Sequence, residues 1–180
     1  MLKEICSNKV RNIFYNRFFF ITLSLLIIQC SQKADPHLLP ISDDKDNDYL
    51  IDGVESKVYL DPKNPDTDGD GTLDGPQLAF RLVSRIDSLP DTVQTQCSYA
   101  IKTFFTGNDT CPVCGEEIQK GEIKVVDPIC NVTCIVPLIG LHFLEKGSFR
   151  YKYSDGRICD IDVYDLYFAA FGPVDTKIIP

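Results

Sequence analysis

Between Asp43 and Gly75 the chain carries an acidic pattern that repeats at a fixed interval. Asp44, Asp46, Asp48, Asp52 and Glu55 stand at positions 1, 3, 5, 9 and 12 of a twelve-residue window. Asp66, Asp68, Asp70 and Asp74 stand at positions 1, 3, 5 and 9 of a second window, 22 residues later. A solvating acidic coil has no reason to keep such spacing. In a tight loop, alternate residues can turn their carboxylates to one centre. Hard oxygen donors in a flexible shell suit Ca²⁺, which takes six to eight of them. Backbone carbonyls at position 7, those of Leu50 and Thr72, would add further oxygens. Gly71 provides a sharp turn at position 6, and Gly75 relieves the chain after position 9.

Charge supports the same expectation. The 180 residues carry a formal net charge of −8, which argues against nucleic acid as a partner, since phosphate contacts need clustered Lys and Arg. Eleven carboxylates and three lysines lie between Asp43 and Gly75, so this stretch alone carries −8. Their mutual repulsion favours bound cations wherever the segment is ordered.

An EF-hand pair would need a helix on both sides of each loop. Only ten residues, SKVYLDPKNP, separate the two windows, and they include Pro62 and Pro65. The stretch DKDNDYLIDGVE…LDPKNPDTDGDGTLDG instead resembles the thrombospondin type 3 repeat. That resemblance implies a chain wound around two or more Ca²⁺ ions with almost no hydrophobic core, a stiff spacer in which Asp61 bridges the two turns. Tyr49 replaces the glycine of position 6 in the first loop. Gln77 replaces the acid of position 12 in the second, which should therefore bind more weakly.

The N-terminus reads as an export address. Lys3, Lys9, Arg11 and Arg17 precede Phe18–Ile28, an eleven-residue apolar run. Such a run rises about 16 Å as a helix, well short of the roughly 30 Å bilayer core, which is the layout of a signal peptide rather than a span. Leu26-Ile27-Ile28-Gln29-Cys30-Ser31 resembles a bacterial lipoprotein signal, implying that Cys30 is acylated and becomes the mature N-terminus. Residues 1–29 are then the signal peptide and 30–42 a tether. The resemblance implies an exported lipoprotein of the outer membrane or cell surface, held to the membrane by its lipid; without the lipid the chain would be periplasmic.

Beyond the calcium-binding segment, 43–77, the composition changes. Leu78, Leu82 and Ile86 form a helical stripe that ends before Pro90. Residues 98–105, 122–127, 132–136 and 148–153 read as strands from their β-branched and aromatic content. Residues 161–171 read as a closing helix with Asp160 or Asp162 near its start. The expected fold class is α+β: a small cysteine-rich domain, 78–180, preceded by a calcium-wrapped irregular segment and a cleaved signal peptide.

Six cysteines fall in this domain: Cys97, Cys111, Cys114, Cys130, Cys134 and Cys159. In an exported chain an even number suggests a disulfide framework. Cys111-Pro-Val-Cys114-Gly115 also looks like a zinc knuckle, with Cys130, Cys134, His142 and Cys159 available to complete four ligands. A redox Cys-x-x-Cys pair is the third reading. His142, alone among apolar residues, reads as a hydrogen-bonded core residue before a ligand, and His37 in the tether carries no argument. The block CPVCGE followed by LHFLEKGSFRY looks like a segment of uncharacterised exported prokaryotic proteins, which implies no activity. No hydrolase, nucleotide-binding or metalloprotease motif is present. The functional expectation is a non-enzymatic, calcium-binding surface or periplasmic lipoprotein with a binding or structural role, engaging an extracellular or periplasmic protein. The alternatives are an exported thiol oxidoreductase using Cys111 and Cys114, and a zinc-stabilised binding module.

Overall fold

The computed structural model describes residues 35–172. The expected signal peptide and Cys30, with the acylation expected there, lie outside the described residues.

Each acidic loop runs directly into a helix at its position 9. The first leads into α1 (Asp52–Glu55), a single turn, and the second into α2 (Asp74–Ser88). Each helix thus opens on an aspartate, the sign that the exposed N–H groups of a helix start favour. Each loop has a helix on one side only, which separates this arrangement from an EF-hand. α2 carries the expected stripe: Leu78, Leu82 and Ile86 are buried on one face.

The chain then forms an antiparallel sheet in the order β1-β2-β3, from Tyr99–Thr110, Glu117–Asp127 and Val132–Pro137. β1 and β2 make a long hairpin closing on the Thr110↔Glu117 pair, with an irregularity between Phe104 and Asn108. The Asp127 carboxylate accepts the N–H groups of Ile129 and Cys130 at 2.8 and 3.1 Å, which shapes the turn into β3. α3 (Leu138–Leu144) follows without a break, a short β4–β5 hairpin (Arg150–Lys152, Ile158–Asp160) comes next, and α4 (Val163–Phe171) closes the domain. α4 is capped by Asp162, whose side chain accepts from the Asp165 N–H at 2.9 Å.

The fold is α+β, with α3 and α4 packed on β2 and β3, and α2 packed on both helices. One cluster fills the interior, drawing on Leu78, Leu82, Ile123, Val125, Phe143, Phe149 and Leu166 among others. The Arg85 guanidinium donates to the Ala170 carbonyl at 2.9 Å and ties α2 to the end of α4. The same cluster includes Leu50, Val58 and Leu60 from the acidic segment. The expectation of a spacer with almost no hydrophobic core is therefore amended: the segment is seated on the domain through these three side chains. No described helix is long and apolar enough to cross a membrane.

Candidate functional site: two acidic loops and a cysteine–histidine cluster

The two loops share the same set of N–H bonds to their acids at positions 1 and 5. In the first, the carboxylate of Asp44 accepts from the N–H groups of Asn47, Asp48 and Tyr49 at 2.7, 3.2 and 3.0 Å. In the second, Asp66 accepts from Gly69, Asp70 and Gly71 at 2.8, 3.1 and 2.8 Å. At position 7 the N–H of Leu50 donates to Asp48 at 2.8 Å, and that of Thr72 to Asp70 at 2.7 Å. Positions 4 and 6 are left-handed in both: Asn47 and Tyr49 at φ 63° and 72°, Gly69 and Gly71 at 75° and 92°. Tyr49 thus adopts a conformation that costs a non-glycine residue roughly 1–3 kcal/mol, held by the three N–H bonds to Asp44.

The expected ligands divide into two roles. Asp44, Asp46 and Asp48 bring carboxylate oxygens within 4.8 Å of one another, and Asp66, Asp68 and Asp70 do the same. The position-9 acids brace their loops. Asp52 accepts the Lys45 N–H at 2.9 Å and pairs with the Lys45 ammonium. Asp74 accepts the Thr67 N–H at 3.1 Å and its hydroxyl at 2.6 Å. Asp61, expected to bridge the two turns, is exposed; its carboxylate accepts the Lys63 N–H at 3.2 Å, and it belongs to none of the three acidic groups.

A third group, Asp48, Glu55 and Asp74, crosses from one loop to the other. Asp74 braces the second loop through Thr67 and also lies beside Asp48 and Glu55 of the first. The crossing is possible because Gly75 lies against the first loop. Its N–H donates to Asp48 at 3.0 Å, and a Cβ built there would lie 2.3 Å from the Asp48 carbonyl oxygen. Asp48, Glu55 and Asp74 each have 0 % exposed surface, so three acids are buried side by side. Both carboxylate oxygens of Asp46 and of Glu55 are buried with no hydrogen-bond partner. Burial, together with the charges of neighbouring aspartates, pushes Asp48 up to about 7 and Glu55 up to about 8. Only protons or a cation can relieve such a group, and oxygen-only donors fit a hard divalent cation.

Gln77, at position 12 of the second loop, turns its amide nitrogen to Asp68 and Asp70 at 3.2 and 3.0 Å, leaving Oε1 buried without a partner. A half-turn of the amide would offer that oxygen to a cation between the same aspartates. The second loop is thus more exposed and one carboxylate poorer than the first.

The second site is built from three separate places. Cys111 and Cys114 lie in the turn joining β1 to β2, His142 lies on α3, and His37 comes from the segment preceding the first acidic loop. All four offer a ligand atom within 4.8 Å of the others. Cys111 Sγ is 3.7 Å from His37 Nε2, and Cys114 Sγ is 3.4 Å from His142 Nε2. Cys111, His37 and His142 are buried, while Cys114 is exposed. Burial raises the Cys111 thiol and lowers His142, whereas N–H donation from Glu116 lowers Cys114.

Of the residues expected to join Cys111 and Cys114, only His142 does so. Cys97 and Cys130 are exposed, Cys159 is half-buried, and all six cysteines of the domain are unpaired. Cys134 is buried and its thiol is pushed up to about 12, the setting of an inert core residue. His37 was missed because it lies 74 residues before Cys111, in a stretch with no periodicity. The one local signal was Asp35, two residues away. The Cys111–Cys114 pair sits between two strands, not at the helix start that activates a redox pair.

Compared with protein families, curated proteins and solved structures, the chain matches none of them.

Proposed function

We propose that this chain is an exported calcium-binding lipoprotein, non-enzymatic, whose acidic repeats act as a Ca²⁺-stabilised support for the α+β domain. The repeats are those of a thrombospondin type 3-like segment, and the domain serves in binding or structural work at the cell surface or in the periplasm. The observation that carries the reading is the buried, partnerless state of the Asp46 and Glu55 oxygens beside Asp48 and Asp74. Acids so arranged make a cation part of the folded state. Phe104, Phe105 and Ile135 are each about half exposed on the sheet and give apolar surface for a protein partner.

Calorimetric titration of the purified chain with Ca²⁺ tests the reading. Two or more ions should bind with Kd of about 10⁻⁴–10⁻³ M, typical of extracellular modules, and should raise the melting temperature. No heat at millimolar Ca²⁺ and no change in melting would sink it. Mass analysis of the N-terminus of membrane-extracted protein tests the acyl anchor on Cys30.

A further inference from the structure

We propose that His37, Cys111, Cys114 and His142 form a closed tetrahedral Zn²⁺ site that staples the segment before the acidic loops to the β1–β2 turn and α3. The site is separate from the acidic loops and does not depend on the calcium reading.

Four observations support it. The first is size. Zn–S bonds of about 2.3 Å and Zn–N bonds of about 2.0–2.1 Å at tetrahedral angles give sulfur–nitrogen edges of about 3.6 Å. Two of the four such edges here are 3.7 and 3.4 Å, and the others are within 4.8 Å.

The second is how the imidazoles are held. His37 has its Nδ1 2.8 Å from the Asp35 carboxylate, and His142 has its Nδ1 3.8 Å from that of Glu116. Asp35 favours a proton on the Nδ1 of His37 and leaves its Nε2 lone pair for the cluster, while Glu116 lies behind His142 beyond hydrogen-bond distance. Carboxylates behind both rings are the usual outer partners of metal-bound histidine.

The third is the turn. Gly115 adopts φ 76°, and its N–H donates to the Cys111 carbonyl at 2.9 Å. The turn so closed holds the Cys111 and Cys114 sulfurs on one side, each within 4.8 Å of a ligand nitrogen of both imidazoles.

The fourth is charge and donor type. Two thiolates and two neutral imidazoles neutralise a divalent ion, so the filled site suits its buried surroundings. A tetrahedral S₂N₂ set selects Zn²⁺ among common ions, and four protein ligands leave no open position for catalysis. Two separate S–H···N bonds would account for each contact alone, but not for their convergence on one point.

The staple closes a 74-residue span between His37 and Cys111, which contains both acidic loops. Zinc binding thus fixes where the N-terminal segment meets the folded body.

The test is metal analysis of the full chain, purified with reductant. One Zn²⁺ per chain is expected, retained in a Ca²⁺-selective chelator and displaced by a thiol-binding mercurial. Co²⁺ loaded in its place should show the ligand-field bands of a tetrahedral site with sulfur-to-cobalt charge transfer. His37→Ala should weaken Zn²⁺ binding by more than about 100-fold, beyond the roughly 10–100-fold lost with an outer partner. His37→Cys should keep one Zn²⁺ and intensify the Co²⁺ charge-transfer band, which a merely structural His37 would not do. Cys130→Ser should leave stoichiometry unchanged. Reduced, folded protein that takes up neither Zn²⁺ nor Co²⁺ overturns the proposal. So does a Zn²⁺ content that ignores His37→Ala but falls in Cys130→Ser.

Discussion

Glu55 is fully buried and neither carboxylate oxygen has a hydrogen-bond partner. The two acids grouped with it, Asp48 and Asp74, bear the same sign. Glu55→Gln keeps the shape and removes one charge, so its effect should change sign with the cation. In chelator at pH 8 the variant should melt above the parent, because repulsion is relieved. In excess Ca²⁺ it should bind the ion at least about tenfold more weakly, a loss of about 1.4 kcal/mol. Paired melting curves and calorimetry check both. Destabilisation under both conditions would mean that Glu55 serves packing alone. The spacing of the windows placed Glu55 at a ligand position, but gave no sign that Asp52 and Asp74 brace their loops through Lys45 and Thr67. The need for Gly75 was legible only as a relief after position 9. Its stronger reason, the approach of its backbone to Asp48, joins residues 27 apart and leaves no mark in a short window. His37 was hidden for the same reason, as ligand sets assembled from distant segments carry no spacing rule.

At the level of elements, legibility followed periodicity. The stripe of Leu78, Leu82 and Ile86 gave α2, and β-branched content located β1, β2 and β3. The hairpin strands extend beyond their apolar portions, β1 to Thr110 and β2 from Glu117, because cross-strand pairing continues through polar residues. α3 was not anticipated. Its sequence LIGLHFL is apolar almost throughout and buried from Ile139 to Leu144, so no face stands out, and the preceding Pro137 reads as a break. β5 spans three residues, too few for an alternation to show. The start of α4 was readable as Asp160 or Asp162, of which Asp162 is the cap, and there the cost of an error is bounded. Asp162→Ala removes the 2.9 Å bond to the Asp165 N–H and should lower stability by about 1 kcal/mol in denaturant melts, with the sheet unchanged. A negligible change would place the anchoring of α4 wholly in Leu166, Ala169 and Ala170, which are buried against the core.

For the whole molecule, a net charge of −8 counts the acidic loops with no cation in them. Folding buries Asp48, Glu55 and Asp74 together while Leu50, Val58 and Leu60 enter the common core, so the charge problem of the loops becomes part of the stability of the domain. The sign of the pH dependence follows. Unfolded, Asp and Glu titrate near about 4. Folded without cation, Asp48 and Glu55 titrate at about 7 and about 8. Between these values the folded state holds more protons than the unfolded one, so stability falls as pH rises. That loss continues through both folded values. Bound Ca²⁺ replaces the protons and removes the dependence over the same range. The difference in melting temperature between Ca²⁺-loaded and chelated protein should therefore widen from pH 6.5 to pH 8.5, by at least about 3–5 °C for about 1 kcal/mol. With a Ca²⁺-selective chelator the cysteine–histidine cluster is the same in both samples, so the difference at each pH cancels its contribution. Melting curves in Ca²⁺ and in chelator at the two pH values decide it. A constant or narrowing gap would show that the three buried acids are not where the cation acts.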